Sequence, residues 1–170
     1  MAKKVKKSSM GKYLTLAAIL FAVASVCMIF VNAVKYQVSE SADPSFYKGT
    51  QIVFGYSKTS GSVVSVTTTY LKFSFMAMLP YLLALVGAVL LVLNVVGKEN
   101  KLVTFVAFAA FVVAAVFFFL APKFPIPAKG ESTGIALLDK KYFSLAIGSI
   151  LAAIFSIVSA LCLAVKTILK

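Results

Sequence analysis

The chain has 170 residues, 61% of them hydrophobic, with 17 basic side chains against five acidic and a net charge of +12. Every basic residue is Lys, so the guanidinium fork that reads guanine and grips phosphate is missing, and nucleic acid is not expected as a partner. His is absent too, which excludes Ser-His and Cys-His nucleophilic pairs and His-ligated metal sites.

The chain opens on a basic tail, residues 1–12, carrying Lys3, Lys4, Lys6, Lys7 and Lys12. Such a cluster beside an apolar run suits the anionic lipid of a membrane surface. Tyr13–Val34 follows, 22 residues without a charge. At about 1.5 Å per residue it is long enough as a helix to cross a hydrocarbon core of about 30 Å. Val31 and Ala33 satisfy a small-residue cleavage pattern. The run nevertheless exceeds the roughly 7–15 residues of a signal-peptide core, and an uncleaved signal-anchor is expected.

Residues 35–72 form a long polar segment. Ile52, Phe54 and Tyr56 alternate within Thr50–Tyr56, and Val64, Val66, Thr68 and Tyr70 alternate later. Between them lies Ser57-Lys58-Thr59-Ser60-Gly61-Ser62, rich in turn formers. Period-two alternation on both sides of such a turn predicts a β-hairpin. Two strands alone are marginal in water. A third is expected from Tyr36–Ser39, from the second outer segment or from another protein. Ile52, Phe54, Tyr56, Val64, Val66 and Tyr70 are the candidate partner-binding residues.

Phe73–Gly97 is the second charge-free run, 25 residues. Pro80 within it either kinks the helix, freeing the carbonyl of Met76, or marks its start. Residues 98–101 join it to the third run, Leu102–Pro122, as an antiparallel helical hairpin. Gly97 is the expected left-handed cap of the second span, helped by Asn94. Phe105, Phe108, Phe111 and Phe117–Phe119 make the third span bulky and are expected to face lipid.

The second outer segment, residues 123–141, opens in a proline-spaced run, Pro122 to Pro127, that favours extended backbone. Gly130–Gly134 reads as a turn or loop, and Asp139 is expected to cap the fourth span. That span, Tyr142–Val165, carries Gly148, Ala152, Ser156, Ala160 and Ala164 at every fourth position. Small residues at this spacing let helix backbones approach closely in lipid, so these five are the candidate helix-packing residues. Ala18/Ala22, Ala84/Ala88 and Ala110/Ala114 offer small pairs on the other spans. Cys27 and Cys162 fall at different depths of their spans and are expected to remain unpaired, buried thiols. Residues 166–170 form a second basic tail.

The fold class expected is an all-α membrane protein, a four-transmembrane-helix antiparallel bundle with a small extracytoplasmic β-hairpin. With both termini inside, nine lysines fall on 21 cytoplasmic residues and eight on 57 outer residues. That asymmetry predicts a multi-pass cell-membrane protein with cytoplasmic termini. The layout resembles that of claudin-type tetraspan proteins in topology. Their Trp-Gly-Leu-Trp and paired-cysteine signature is absent, because the chain has no Trp and no Cys in the first outer segment.

No Asp, Glu, Lys, Arg or His lies within the four spans, whereas ion paths, proton relays and transport sites are usually marked by one. The five carboxylates are scattered through the loops and form no pair for a metal. No enzyme activity, cofactor or metal is expected. The function expected is that of a non-catalytic interaction protein, an accessory or scaffold subunit of a membrane or envelope complex. The alternative is a small transporter or oligomeric channel for a neutral or weakly polar substrate, with Ser149, Ser156 and Ser159 along its path.

Overall fold

The computed structural model describes residues 2–60, 65–97, 100–129 and 137–168, with side chains from residue 10 onward. Five α-helices and six short strands follow one another as α1 (Ala2–Cys27), β1 (Asn32–Tyr36), β2 (Ser45–Lys48), α2 (Gly49–Phe54), β3 (Tyr56–Ser60), β4 (Val66–Lys72), α3 (Phe75–Val96), α4 (Lys101–Phe119), β5 (Ile126–Pro127), β6 (Phe143–Leu145) and α5 (Ile147–Ile168). Four of the helices are long and apolar enough to cross a membrane, over Met10–Phe30, Phe75–Val96, Lys101–Phe119 and Ile147–Ile168. The chain divides into two compact units. Met1–Cys27, Pro80–Phe118 and Leu151–Lys170 make a helical unit, and Met28–Leu79 with Phe119–Ile150 make a sheet unit.

The helical unit is built inside out relative to a protein in water. Its core cluster draws Ala18 and Ala22 from α1, Ala88 and Leu91 from α3, Ala107 and Phe111 from α4, and Ala160 and Leu163 from α5. Large side chains such as Leu20, Leu93, Phe105 and Leu161 stand exposed on the outside. Small residues inside and large apolar ones outside suit helices packed in lipid, where close backbone approach drives association. In water the same surface would be a very large apolar patch.

On α5 the buried face differs from the expected ridge. Gly148, Ala152, Ser156 and Ala160 are buried, but Ala164 is only half-buried. At about 100° per residue, a row of every fourth residue drifts around the helix by roughly 160° between positions 148 and 164. The stripe that stays buried alternates steps of three and four: Ser149, Ala152, Ser156, Ser159, Leu163 and Lys166. This is the heptad seam of closely packed helices. A matching stripe on α1 consists of Thr15, Ala18, Ala22 and Ser25.

Asn94, buried near the end of α3, ties that helix to α4. Its Oδ1 accepts the Asn100 amide at 2.7 Å, and its Nδ2 donates to Thr104 Oγ1 at 2.9 Å. Gly97 is not left-handed, as only Gly55 has positive φ among the described residues; its amide donates to the Leu93 carbonyl at 2.9 Å. Pro80 lies inside α3, which begins five residues earlier, so it does not start the helix. Ser74 precedes the first turn, its Oγ accepting from the Ala77 amide. Phe111 and Phe118 are fully buried rather than facing lipid, whereas Phe105 and Phe119 are exposed.

The sheet unit holds two three-stranded antiparallel sheets in the orders β2-β1-β6 and β3-β4-β5. It takes several residues that the sequence assigns to spans. α1 ends at Cys27, and after a single turn of 3₁₀ helix (Met28–Phe30) the chain enters β1. Buried Val34 pairs there with Tyr47 and Leu145. Residues 143–145 likewise form β6, α5 begins at Ile147, and α4 stops at Phe119 before a 3₁₀ turn (Ala121–Lys123). Asp139 caps the short turn Lys140–Tyr142, accepting the Lys141 amide at 3.1 Å, and not the fourth span. Ser149 Oγ donates to the Ala33 carbonyl at 2.8 Å, and a Cβ on Gly148 would stand 2.6 Å from the Asn32 carbonyl oxygen. Glycine at 148 therefore sets how closely α5 begins against the chain entering β1. The thiols of Cys27 and Cys162 are unpaired, but neither is buried: Cys27 is exposed and Cys162 half-buried.

Candidate functional site

Residues 35–72 contain an antiparallel strand pair, displaced along the sequence from the expected one. Thr50–Tyr56 is not a strand. Gly49–Phe54 forms α2, with the Gln51 side chain accepting the Lys48 amide at 2.9 Å. The neighbours Ile52 and Val53 are both buried, as a helix face allows and strand alternation does not. Tyr56 opens β3, and the predicted turn residues Ser57–Ser60 lie within that strand. Gly55 makes the junction possible at φ +92°. A Cβ there would sit 2.8 Å from the Leu71 carbonyl oxygen, so no larger residue fits this close approach.

The third strand comes from residues 123–141. β5 pairs with β4 through Leu71↔Pro127 and Lys72↔Ile126. The Tyr36 region, the other candidate within the chain, instead belongs to the first sheet. Toward the outer end of the strand pair, Ser57 Oγ meets Thr69 Oγ1 and Thr59 Oγ1 meets Thr67 Oγ1, each at 3.0 Å. These hydroxyl rungs stiffen the pair across its face.

The six candidate partner-binding residues do not form one surface. Ile52 is 3% exposed and packs inside the sheet unit, while Phe54 is 66% and Val66 59% exposed. Tyr56 and Tyr70 are half-buried, their rings 5.7 Å apart, and Val64 lies outside the described residues, as do the Gly61–Ser62 turn and the Gly130–Gly134 loop. What remains open is the distal strand pair: Ser57, Lys58, Thr59 and Ser60 on β3, and Val66, Thr67 and Thr69 on β4, are exposed. Among the described residues β3 forms the edge of its sheet, with Lys58 in the middle of the strand.

Behind this end runs an aromatic row missed in the sequence. Tyr70 packs against Tyr56 at a tilt, Tyr56 meets Tyr47 edge-on, and Tyr47, Phe143 and Tyr36 follow with tilted rings, the centroids of successive rings 5.0–6.1 Å apart. Burial, then the neighbouring phenols of Tyr56, Tyr70 and Tyr36, holds the Tyr47 hydroxyl above its ordinary pKa. Period-two reading of each strand would have placed Tyr47, Tyr56 and Tyr70 in strands; their alignment depends on sheet register, which the sequence does not contain.

The three span serines do not line an open path. Ser149 donates to Ala33, and Ser159 Oγ lies 3.1 Å from the Ala18 carbonyl and 2.9 Å from that of Phe155. Ser25 Oγ donates to the Ala152 carbonyl at 2.9 Å and meets Ser156 Oγ at 2.9 Å. A hydroxyl has one proton, so with Ser25 donating to Ala152 it is Ser156 that donates to Ser25. Ser25 escaped the sequence reading, although its place three residues beyond Ala22 continues the buried stripe of α1. Among the described residues no group of three His, Cys, Asp or Glu side chains comes together to hold a metal ion.

Compared with models of protein families, with curated proteins and with solved structures, the chain finds no match in any of the three.

Proposed function

We propose that this chain is a non-catalytic interaction protein of the cell membrane, an accessory or scaffold subunit whose outer strand pair docks a membrane or envelope protein. The four long helices form an antiparallel bundle in this reading, with both termini cytoplasmic. The observation that carries it is the distal end of β3 and β4, exposed on both strands, with β3 at the sheet edge among the described residues. An edge of this kind adds a strand from a partner through backbone hydrogen bonds, with side-chain pockets adding specificity. The alternative, a path for a neutral substrate, needs span serines free to contact it, and their hydroxyls are bonded to helix backbones and to one another.

Orientation is tested with single cysteines in a background lacking Cys27 and Cys162. Cysteine at Ser60 is expected to react with a membrane-impermeant thiol reagent on intact cells, and cysteine at Asn100 only after lysis. External labelling at 100 would place the strand pair in the cytoplasm.

Docking is tested by purification in mild detergent followed by mass spectrometry. Val66→Glu introduces a charge that is costly wherever a partner covers that position. It should remove a stoichiometric co-purifying protein while the chain still inserts and keeps its helical content. Ser149→Ala and Ser159→Ala should leave the complex intact, since each removes one interhelical or backbone hydrogen bond worth roughly 0.6 kcal/mol in lipid. A complex indifferent to Val66→Glu, with flux in liposomes altered by the serine changes, would favour the channel instead.

A further inference from the structure

α2 is fastened at both ends to the points where the chain leaves one long apolar helix and enters the next. The Gly49 amide donates to the Val31 carbonyl at 3.2 Å, and the Ser74 amide donates to the Val53 carbonyl at 2.9 Å. The apolar stretches themselves run over Met10–Phe30 and Phe75–Val96, so each bond lands on the residue next to a span end. Gly55 closes the same junction, where a Cβ would lie 3.4 Å from the Phe73 nitrogen. A helix of six residues rises only about 9 Å, so all of α2 stays near the level of those two ends. Ile52 and Val53 hold it from inside the sheet unit, whereas Phe30, Phe54, Phe73 and Phe75 are each more than half exposed. Single exposed rings are ordinary, but four at one level mark an interaction surface.

We infer that α2 is an interfacial element whose Phe54 ring inserts among lipid acyl chains beside the span ends. Continuity with the apolar spans carries the choice of occupant. Phe30 closes one span and Phe75 opens the other, and Phe54 adds a ring at their level from a helix that is not itself a span. So short a helix leaves most of its terminal backbone groups without helical partners, and its backbone cannot enter hydrocarbon. It rests at headgroup level and reaches the acyl boundary through its apolar side chain, as interfacial helices do. Lys48 and Lys72, exposed next to α2 and to Phe73, suit that depth, because a lysine stem lies along apolar surface while its ammonium stays in water. The inference holds for either orientation of the chain. It rests on the long helices crossing a membrane and takes nothing from the docking role of the strand pair. It assigns to lipid a residue that alternation alone offered to a protein partner.

The chain has no Trp, so a single introduced one reports on its own surroundings. The full chain is reconstituted in dioleoyl phosphatidylcholine vesicles, with part of the lipid brominated near either the headgroup end or the far end of the acyl chain. Phe54→Trp should emit at shorter wavelength than Val66→Trp, which lies at the far end of β4 from Lys72. Shallow bromine should quench Phe54→Trp several-fold more than Val66→Trp, and aqueous iodide should rank them the other way. Val86→Trp, exposed midway along α3, should respond most to deep bromine. Quenching of Phe54→Trp by iodide but not by shallow bromine would overturn the inference, while a quenched Val86→Trp kept the spans in the bilayer. Protection from both quenchers would also overturn it, in favour of a second copy of the chain as occupant. An unquenched Val86→Trp would overturn it together with the membrane reading. Where the circular dichroism of Phe54→Trp departs from the parent, a nitroxide on Phe54→Cys decides, in a background lacking Cys27 and Cys162. The nitroxide should collide more often with dissolved oxygen than with a water-soluble nickel chelate, and the opposite ranking would overturn the inference.

Discussion

Replacing Phe111 by Ala is expected to lower the stability of the detergent-purified protein by about 3 kcal/mol, while Phe105→Ala leaves it unchanged. Both residues are phenylalanines in the same apolar helix, six positions apart and so about 120° apart around it at about 100° per residue. Phe111 is fully buried and Phe105 is 68% exposed. In lipid the truncation loses packing contacts without a large transfer term, because the surrounding chains are as apolar as the core. The expected cost therefore falls at the low end of the range for phenylalanine truncation in soluble cores. The ring is also held by its neighbour: a Cβ on Gly87 would lie 2.6 Å from its Cε1. Gly87→Ala should destabilise the parent more than it destabilises a Phe111→Leu background, and this coupling separates ring contact from a general loss of helix. Thermal unfolding by circular dichroism in detergent measures each variant. Equal losses for Phe111→Ala and Phe105→Ala would show that the ring does not pack inside.

Ala152→Leu should cost nearly as much, at the upper end of the 1–3 kcal/mol typical of overpacking. Ala152 is fully buried, and its carbonyl accepts the hydroxyl proton of Ser25, 2.9 Å away. Three added carbons have no space unless α1 moves, and such a move also parts Ser25 from Ser156. Ile157→Leu, on the exposed side of α5, keeps volume and contacts and is the matching control. The two variants should differ by many degrees in the temperature of unfolding. Coincident melting curves would mean that α5 does not pack through this stripe.

The long helices are legible because exclusion of charge over more than 20 residues is a property of the sequence alone. The ends of the spans are not. Val31, Asn32, Ala33 and Val34 continue an apolar run whether they extend a helix or enter a strand, and pairing with Tyr47 and Leu145 decides in favour of the strand. The same ambiguity put Tyr142–Leu145 in the fourth span. In the outer segment, alternation at Ile52, Phe54 and Tyr56 also fits a short helix that buries Ile52 and Val53, and Gly55 carries the break between helix and strand. The strand pair itself was readable from Val66, Thr68 and Tyr70, whereas its partner strand lies five residues later than alternation suggested. On α5 the small residues were recognised, but rows of every fourth residue hide the drift that makes 149, 152, 156, 159 and 163 the buried series.

The Asn94 clasp bears on how the chain enters the bilayer. A side-chain amide within a span has four hydrogen-bonding positions to satisfy, and hydrocarbon offers none. The partners of Asn94 stand only six and ten residues downstream, at Asn100 and Thr104. The amide can be satisfied as soon as the first turn of α4 forms, with no contribution from α1 or α5. If α3 and α4 do cross a membrane, this polar seam needs nothing beyond their own hairpin to close.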